Sequence, residues 1–129
     1  MLQDTLATSL SAINNAELRG KTEVVLTPSS RLLKEVLTLL KKEEYIQNFE
    51  FVETGRGGQI KVTLNGAINK INAIKPRYAI TLQEFEKFEK RYLPAKDFGR
   101  IIISTSKGVT THIDAKTKKL GGVLLAYVY

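Results

Sequence analysis

Arg100-Ile101-Ile102-Ile103-Ser104-Thr105-Ser106-Lys107-Gly108 is the stretch on which the reading of this chain turns. Three consecutive β-branched isoleucines cannot split into one wet and one dry face, so the run reads as a strand covered on both sides. Gly99 precedes it, and the residues that follow it are those that populate turns. Gly122 to Tyr129 is a second strongly apolar run. The two read as central strands of one sheet.

Working outward, Thr111 and Asp114 have capping-box spacing, which predicts one or two helical turns over Thr111–Lys119 before Gly121-Gly122. Upstream, Thr81-Leu82-Gln83-Glu84 matches the same box, Phe85, Phe88 and Tyr92 follow on one face, and Pro94 stops the pattern. A helix over 82–91 is expected, with a short strand at Tyr78 to Ile80 before it. In the first half Leu2, Leu6, Leu10 and Ile13 recur at helical spacing behind Asp4, and Asn14-Asn15 mark the end of a helix over 4–16. Glu23 to Thr27 is β-rich, and Thr27-Pro28-Ser29-Ser30 then offers capping hydroxyls before Leu33, Val36, Leu37 and Leu40 outline a second helix. Tyr45 to Val52 and Gln59 to Leu64 alternate as strands do, with the hairpin residues Thr54-Gly55-Arg56-Gly57-Gly58 between them. Asn65-Gly66 through Lys75-Pro76-Arg77 lacks strong periodicity and reads as a connector. The expected fold is α+β in two small domains: an N-terminal α-β-α-β-β unit over 1–68 and a β-rich unit with short helices over 69–129.

The 129 residues are 43% hydrophobic and 26% charged, which predicts a packed core rather than disorder. The net charge of +7 favours a polyanionic partner, nucleic acid or an anionic surface. Its distribution narrows this: residues 1–64 carry eight Lys/Arg and eight Asp/Glu, while 65–129 carry twelve against five. The second half therefore holds all of the excess. Cysteine is absent, which removes disulfides, thiolate metal sites and cysteine nucleophiles. No signal-peptide pattern and no apolar run near the ~20 residues of a membrane span is visible, so a soluble cytoplasmic chain without membrane contact is expected.

The loop Ser104-Thr105-Ser106-Lys107-Gly108 would project three hydroxyls, an ammonium and backbone N–H groups from a rigid edge, donors suited to phosphate oxygens, 2′-hydroxyls and unstacked base edges. An ordinary polar turn is the competing reading. Ser104-x-x-Lys107 has the bare spacing of the penicillin-recognising enzymes but lacks their further elements, and the order Lys107-Gly108 is not a phosphate-binding loop. His112 is the only histidine and reads as a polar loop residue. Glu84, Glu86 and Glu89 among Lys87, Lys90 and Arg91 read as a solvated charged face. Pro28-Ser29-Ser30-Arg31 opens a helix, where free N–H groups and an arginine suit a phosphate, although simple capping explains them equally.

Taken together, Asp4-Thr5-Leu6-Ala7, Pro28-Ser29-Ser30-Arg31, Lys42-Glu43-Glu44-Tyr45-Ile46, Ser104-Thr105-Ser106-Lys107-Gly108-Val109 and Gly121-Gly122-Val123-Leu124 resemble the small-subunit ribosomal protein eight family nearly end to end. Leu93-Pro94-Ala95-Lys96-Asp97-Phe98-Gly99 and Ala126-Tyr127-Val128-Tyr129 resemble its archaeal branch. The resemblance implies a non-enzymatic constituent of the small ribosomal subunit that needs no cofactor and no small-molecule substrate. It implies binding to a central-domain helix of small-subunit rRNA early in assembly. By the same resemblance, Ser104, Thr105, Ser106, Lys107 and Gly108 would meet irregular internal-loop bases and sugars, and Ser29, Ser30 and Arg31, with Asp4 and Thr5, the backbone. Arg77 and Tyr78 stand near an aromatic of bacterial members, though the spacing after Pro76 differs. Neighbouring ribosomal proteins are implied partners, and the chain's own messenger RNA is another, since bacterial members repress theirs. A basic protein-interaction module, a general RNA-binding translational regulator and a hydrolase using Ser104 or Ser106 are the alternatives.

Overall fold

The computed structural model describes residues 5–26, 31–52, 58–74, 77, 79–95 and 98–129. The chain divides into two compact units, Met1–Asn69 and Lys70–Tyr129.

In the first unit, helix α1 (Thr5–Leu18) buries Leu6, Leu10 and Ile13, the stripe its sequence spacing defines. It runs past Asn14-Asn15 because asparagine is only a weak stop. Gly20 ends it, at φ +70°: Gly20 N–H donates to the Glu17 carbonyl and Lys21 N–H to that of Ala16, a Schellman closure. Strand β1 (Glu23–Leu26) leads to α2 (Arg31–Lys42), whose Leu33, Val36, Leu37 and Leu40 are buried. Strand β2 (Asn48–Val52) starts three residues later than the alternation at Tyr45 suggested. Tyr45 is instead held in the closure of α2, its N–H donating to the Leu40 carbonyl, while Ile46 is buried beside it. Strand β3 (Gln59–Thr63) lies between β1 and β2, antiparallel to both. Leu26, Ile60 and Phe51 share one register row, and Val24, Val62 and Phe49 another. The turn joining β2 to β3, Thr54 to Gly57, lies outside the described residues.

The second unit is built on β6 (Arg100–Thr105) and β8 (Gly122–Val128), paired antiparallel in the middle of a sheet of order β4-β8-β6-β7, with β5 also paired to β8. Here β4 is Ile71–Ala73, β5 is Ala79–Ile80 and β7 is Gly108–Thr111. Strand β4 lies where the sequence read as a connector. Three residues cannot display a period of two, and it is the pairing of Ile71 with Val128 and Ala73 with Ala126 that makes them a strand. A 3₁₀ turn at Leu82–Glu84 leads into α3 (Phe85–Tyr92). The expected capping box is formed: the Thr81 amide donates to Glu84 Oε1 at 3.0 Å and the Thr81 hydroxyl to the same oxygen at 3.1 Å. Those bonds, the amide first, hold the Glu84 carboxyl below the usual carboxylate range. Helix α4 (His112–Thr117) is capped by Thr111, whose hydroxyl accepts from Asp114 N–H. Phe85, Phe88, Leu93, Ile101, Ile103, Ala115 and Leu124 form the core between the sheet and α3 and α4. The architecture is the α+β arrangement expected, helices with antiparallel sheets.

Candidate RNA interface

Ile101, Ile102 and Ile103 are buried, so β6 enters its hairpin from the most constrained part of the sheet. Ile101 and Ile103 face the core with α3, and Ile102 faces the other side. Beyond them β6 continues to Thr105 and β7 begins at Gly108, with Thr105 and Gly108 paired across. The Ser-Thr-Ser-Lys-Gly loop is therefore a tight hairpin tip with Ser106 and Lys107 at its turn, rather than a loop leaving the sheet. Gly108 has φ +113°, a conformation that suits glycine.

Within the tip the hydroxyls have different environments. Thr105 Oγ1 donates to the Gly108 carbonyl at 2.8 Å and accepts from Lys107 N–H at 3.1 Å, so it braces the turn from inside. Ser106 and Lys107 are exposed and Ser104 is half-buried. Thr105→Val, which keeps the shape and removes the hydroxyl, is expected to cost about 1 kcal/mol of local stability. It should quicken hydrogen exchange at the Lys107 amide; unaltered exchange there would show that the strand pairing alone holds the tip.

Beneath the tip, β8 passes very close to β6. A Cβ placed on Gly122 would come within 2.4 Å of the Ser104 carbonyl oxygen and 2.7 Å of Ile103 Cγ2. Only glycine permits this approach. Opposite Ile102 and Ile103 the pairing with β8 shifts register, so the hairpin is set on an irregular ladder.

The other residues named from the sequence lie on separate elements of the two units or outside the described residues. Arg31 opens α2 in the first unit with its side chain 95% exposed and its Nε 3.8 Å from Glu35 Oε1, a surface pair of small energetic weight. Arg77 is exposed in the second unit. Asp4, Ser29, Ser30 and Tyr78 lie outside the described residues, and so does the side chain of Thr5, whose backbone begins α1.

The sequence reading missed one polar cluster. His112 is not a loop residue: it is the first residue of α4 and only 1% exposed. Its Nδ1 accepts from Ile101 N–H at 3.0 Å, which leaves the ring proton on Nε2, 3.7 Å from Glu89 Oε1. Glu89 is not part of a solvated face either, being 8% exposed and in contact with Lys116 Nζ. The cluster ties α3 and α4 to β6 at Ile101, four residues along the strand from Thr105. The alternating charges of α3 pointed to solvent, and only the packing of α4 against β6 turns Glu89 inward. With His112 committed to Ile101 and Glu89, its imidazole serves the scaffold.

A family model described as Ribosomal protein S8 matches residues 4–129. Proteins of that family contact RNA, and the excess of positive charge in the second half of this chain suits that class. The chain belongs to the ribosomal protein S8 family. It is accordingly an rRNA-binding ribosomal protein of the small subunit, located with the ribosome in the cytoplasm, in a family whose role is structural. No described helix is long and apolar enough to cross a membrane.

Proposed function

We propose that this protein binds a central-domain helix of small-subunit rRNA early in assembly, reading it with the β6–β7 hairpin tip, and that it catalyses no reaction. The observation that carries the reading is the tip itself: Ser106 and Lys107 stand exposed on a turn braced by Thr105 and rooted in three buried isoleucines. A binding group held in this way loses little freedom on docking, so its hydrogen bonds count nearly in full. In this reading Ser104 and Ser106 read sugar and base edges, Lys107 neutralises a phosphate, and Gly108 and Thr105 fix the turn. Ser29, Ser30 and Arg31, with Asp4 and Thr5, would contact backbone from the first unit, and Arg77 and Tyr78 would add contacts from the second. Residues 69–129 act as the rRNA-binding domain. Neighbouring ribosomal proteins of the subunit and the chain's own messenger RNA complete the proposed partners.

Filter binding to a central-domain rRNA fragment tests this. Ser106→Ala is expected to weaken binding by about 1 kcal/mol, and by more where an RNA polar group is left unpaired. Lys107→Ala should lower the slope of log K against log salt by about 1. Equal affinity for any duplex together with indifference to both substitutions would refute the reading of the tip.

A further inference from the structure

At the far end of the same sheet, five aromatic rings from three separate segments form a continuous ladder. Phe88 and Tyr92 on α3 lie with centroids 6.4 Å apart and planes 7° apart. Tyr92 meets Tyr127 on β8 at 5.4 Å, and Tyr127 meets Tyr129 at 6.2 Å. Tyr129 meets Phe98 at 6.4 Å. Ile101 pairs with Tyr127 and Thr105 with Gly108, so the ladder and the hairpin tip are separated along β6 by about 13 Å.

The ladder is built into the fold. Tyr129 exchanges both backbone hydrogen bonds with Lys70, which fixes it as a sheet residue. Gly99, at φ +89°, lets the Phe98 turn close on the end of β8: a Cβ there would come within 2.7 Å of Tyr129 Cβ. Phe88 belongs to the core and Tyr92 and Tyr127 pack against it, but the rest of the ladder reaches the surface. Phe98 is 51% exposed, and Tyr92, Tyr127 and Tyr129 are half-buried, with no hydroxyl bonded to a described residue.

Charge is sorted around it. On α3 the i, i+4 pair Lys87 and Arg91 occupies the flank beside Phe88 and Tyr92, with Lys87 Nζ 5.7 Å from the Phe88 centroid and Arg91 Cζ 5.4 Å from that of Tyr92. The carboxylates of α3 are turned away, Glu86 to Lys90 and Glu89 to Lys116. Lys70, paired with Tyr129 across the ladder, stands on the same face at the strand end. Among the described residues this surface is therefore aromatic and cationic.

We propose that the ladder is a second RNA contact, a stacking platform for a short unpaired stretch of nucleotides, separate from the hairpin tip. A base extends the stack on the open face of Phe98, the tyrosine hydroxyls donate to the sugar and phosphates that follow, and Arg91 and Lys87 neutralise phosphate at the other end. Stacked aromatics flanked by cations bind single strands because every base has a π-face and every nucleotide a charge. An acidic protein segment would match the charge but not the run of facing rings, three pairs lying within 26° of parallel and the last, Tyr129 with Phe98, tilted by 47°.

The test is fluorescence anisotropy with labelled nonauridylate and the full chain. Phe98→Ala is expected to weaken binding about 5- to 150-fold, the range for loss of one base–aromatic stack. Arg91→Ala should reduce the salt slope by about 0.7. Lys107→Ala should leave nonauridylate binding unchanged within about twofold, even though it lowers affinity for the folded rRNA fragment. Failure of the tip and failure of the ladder are thereby told apart. In the unsubstituted protein the ring NMR signals of Tyr92, Tyr127 and Tyr129 should shift on addition of the oligonucleotide, whatever the stability of the variants. The proposal is overturned by unmoved ring signals, by loss of oligonucleotide binding through Lys107→Ala instead of Phe98→Ala, or by ring shifts with an acidic aromatic peptide and none with RNA.

Discussion

Phe85→Ala is expected to remove about 3–5 kcal/mol and with it the folded state of the second unit. Phe85 is the first residue of α3 and is 1% exposed, packed in one cluster with Leu93, Ile101, Ile103, Ala115 and Leu124. Truncation empties the centre of that cluster and takes away the contact by which α3 grips β6. A unit as small as Lys70–Tyr129 has a core that rarely supplies more than about 3–5 kcal/mol, so there is no reserve to absorb the loss. Urea unfolding followed by near-ultraviolet circular dichroism would read it, because the tyrosines of the ladder belong to this unit. Phe85→Leu should retain a substantial part of the stability. A cost under about 1 kcal/mol for Phe85→Ala would mean that the cluster repacks and that α3 is held by something else.

Gly122→Ala is expected to damage both stability and RNA binding. The added methyl group meets the Ser104 carbonyl oxygen and Ile103 Cγ2 at distances no real Cβ tolerates, and the Ser104 carbonyl is backbone that cannot swing aside. Overpacking of this kind costs about 1–3 kcal/mol. In a domain of this size that lowers the melting temperature by about 4–8 °C for each kcal/mol. The displaced atoms are the root of the hairpin tip, so affinity for the rRNA fragment should fall even at temperatures where the variant is fully folded. Gly121→Ala is the matched comparison. Its Cβ would press on the Ile80 carbonyl at 2.7 Å, a strain at β5 that does not reach Ser104. Equal loss of RNA affinity in both variants would mean that binding follows stability alone.

How far the sequence could be read differs from element to element for identifiable reasons. The central strands were legible because a run such as Ile101-Ile102-Ile103 has no polar face to offer water. The capping box at Thr81–Glu84 and the Thr111 cap on the Asp114 N–H are legible because they are local chemistry, complete within four residues. Strand β4 was not, since a three-residue edge strand exists only through its partner β8. Helix α1 ends beyond Asn14-Asn15 because those asparagines are a statistical signal, whereas Gly20 at positive φ is a steric one.

The candidate site divides in the same way. Family membership, the hydroxyls and lysine of residues 104 to 108, and the one-sided charge were present in the sequence itself, because composition and short motifs need no partner to be seen. Folding decided that Thr105 turns its hydroxyl inward while Ser106 and Lys107 face solvent, since that depends on the φ of Gly108 and the pairing of β7. It also decided that Glu89 and His112 are buried together, and that Phe98, Tyr92, Tyr127 and Tyr129 share one surface. Those residues come from separate segments of the chain, around 89–98, at 112 and at 127–129. Burial and juxtaposition are properties of the packed sheet and helices, and no local pattern encodes them.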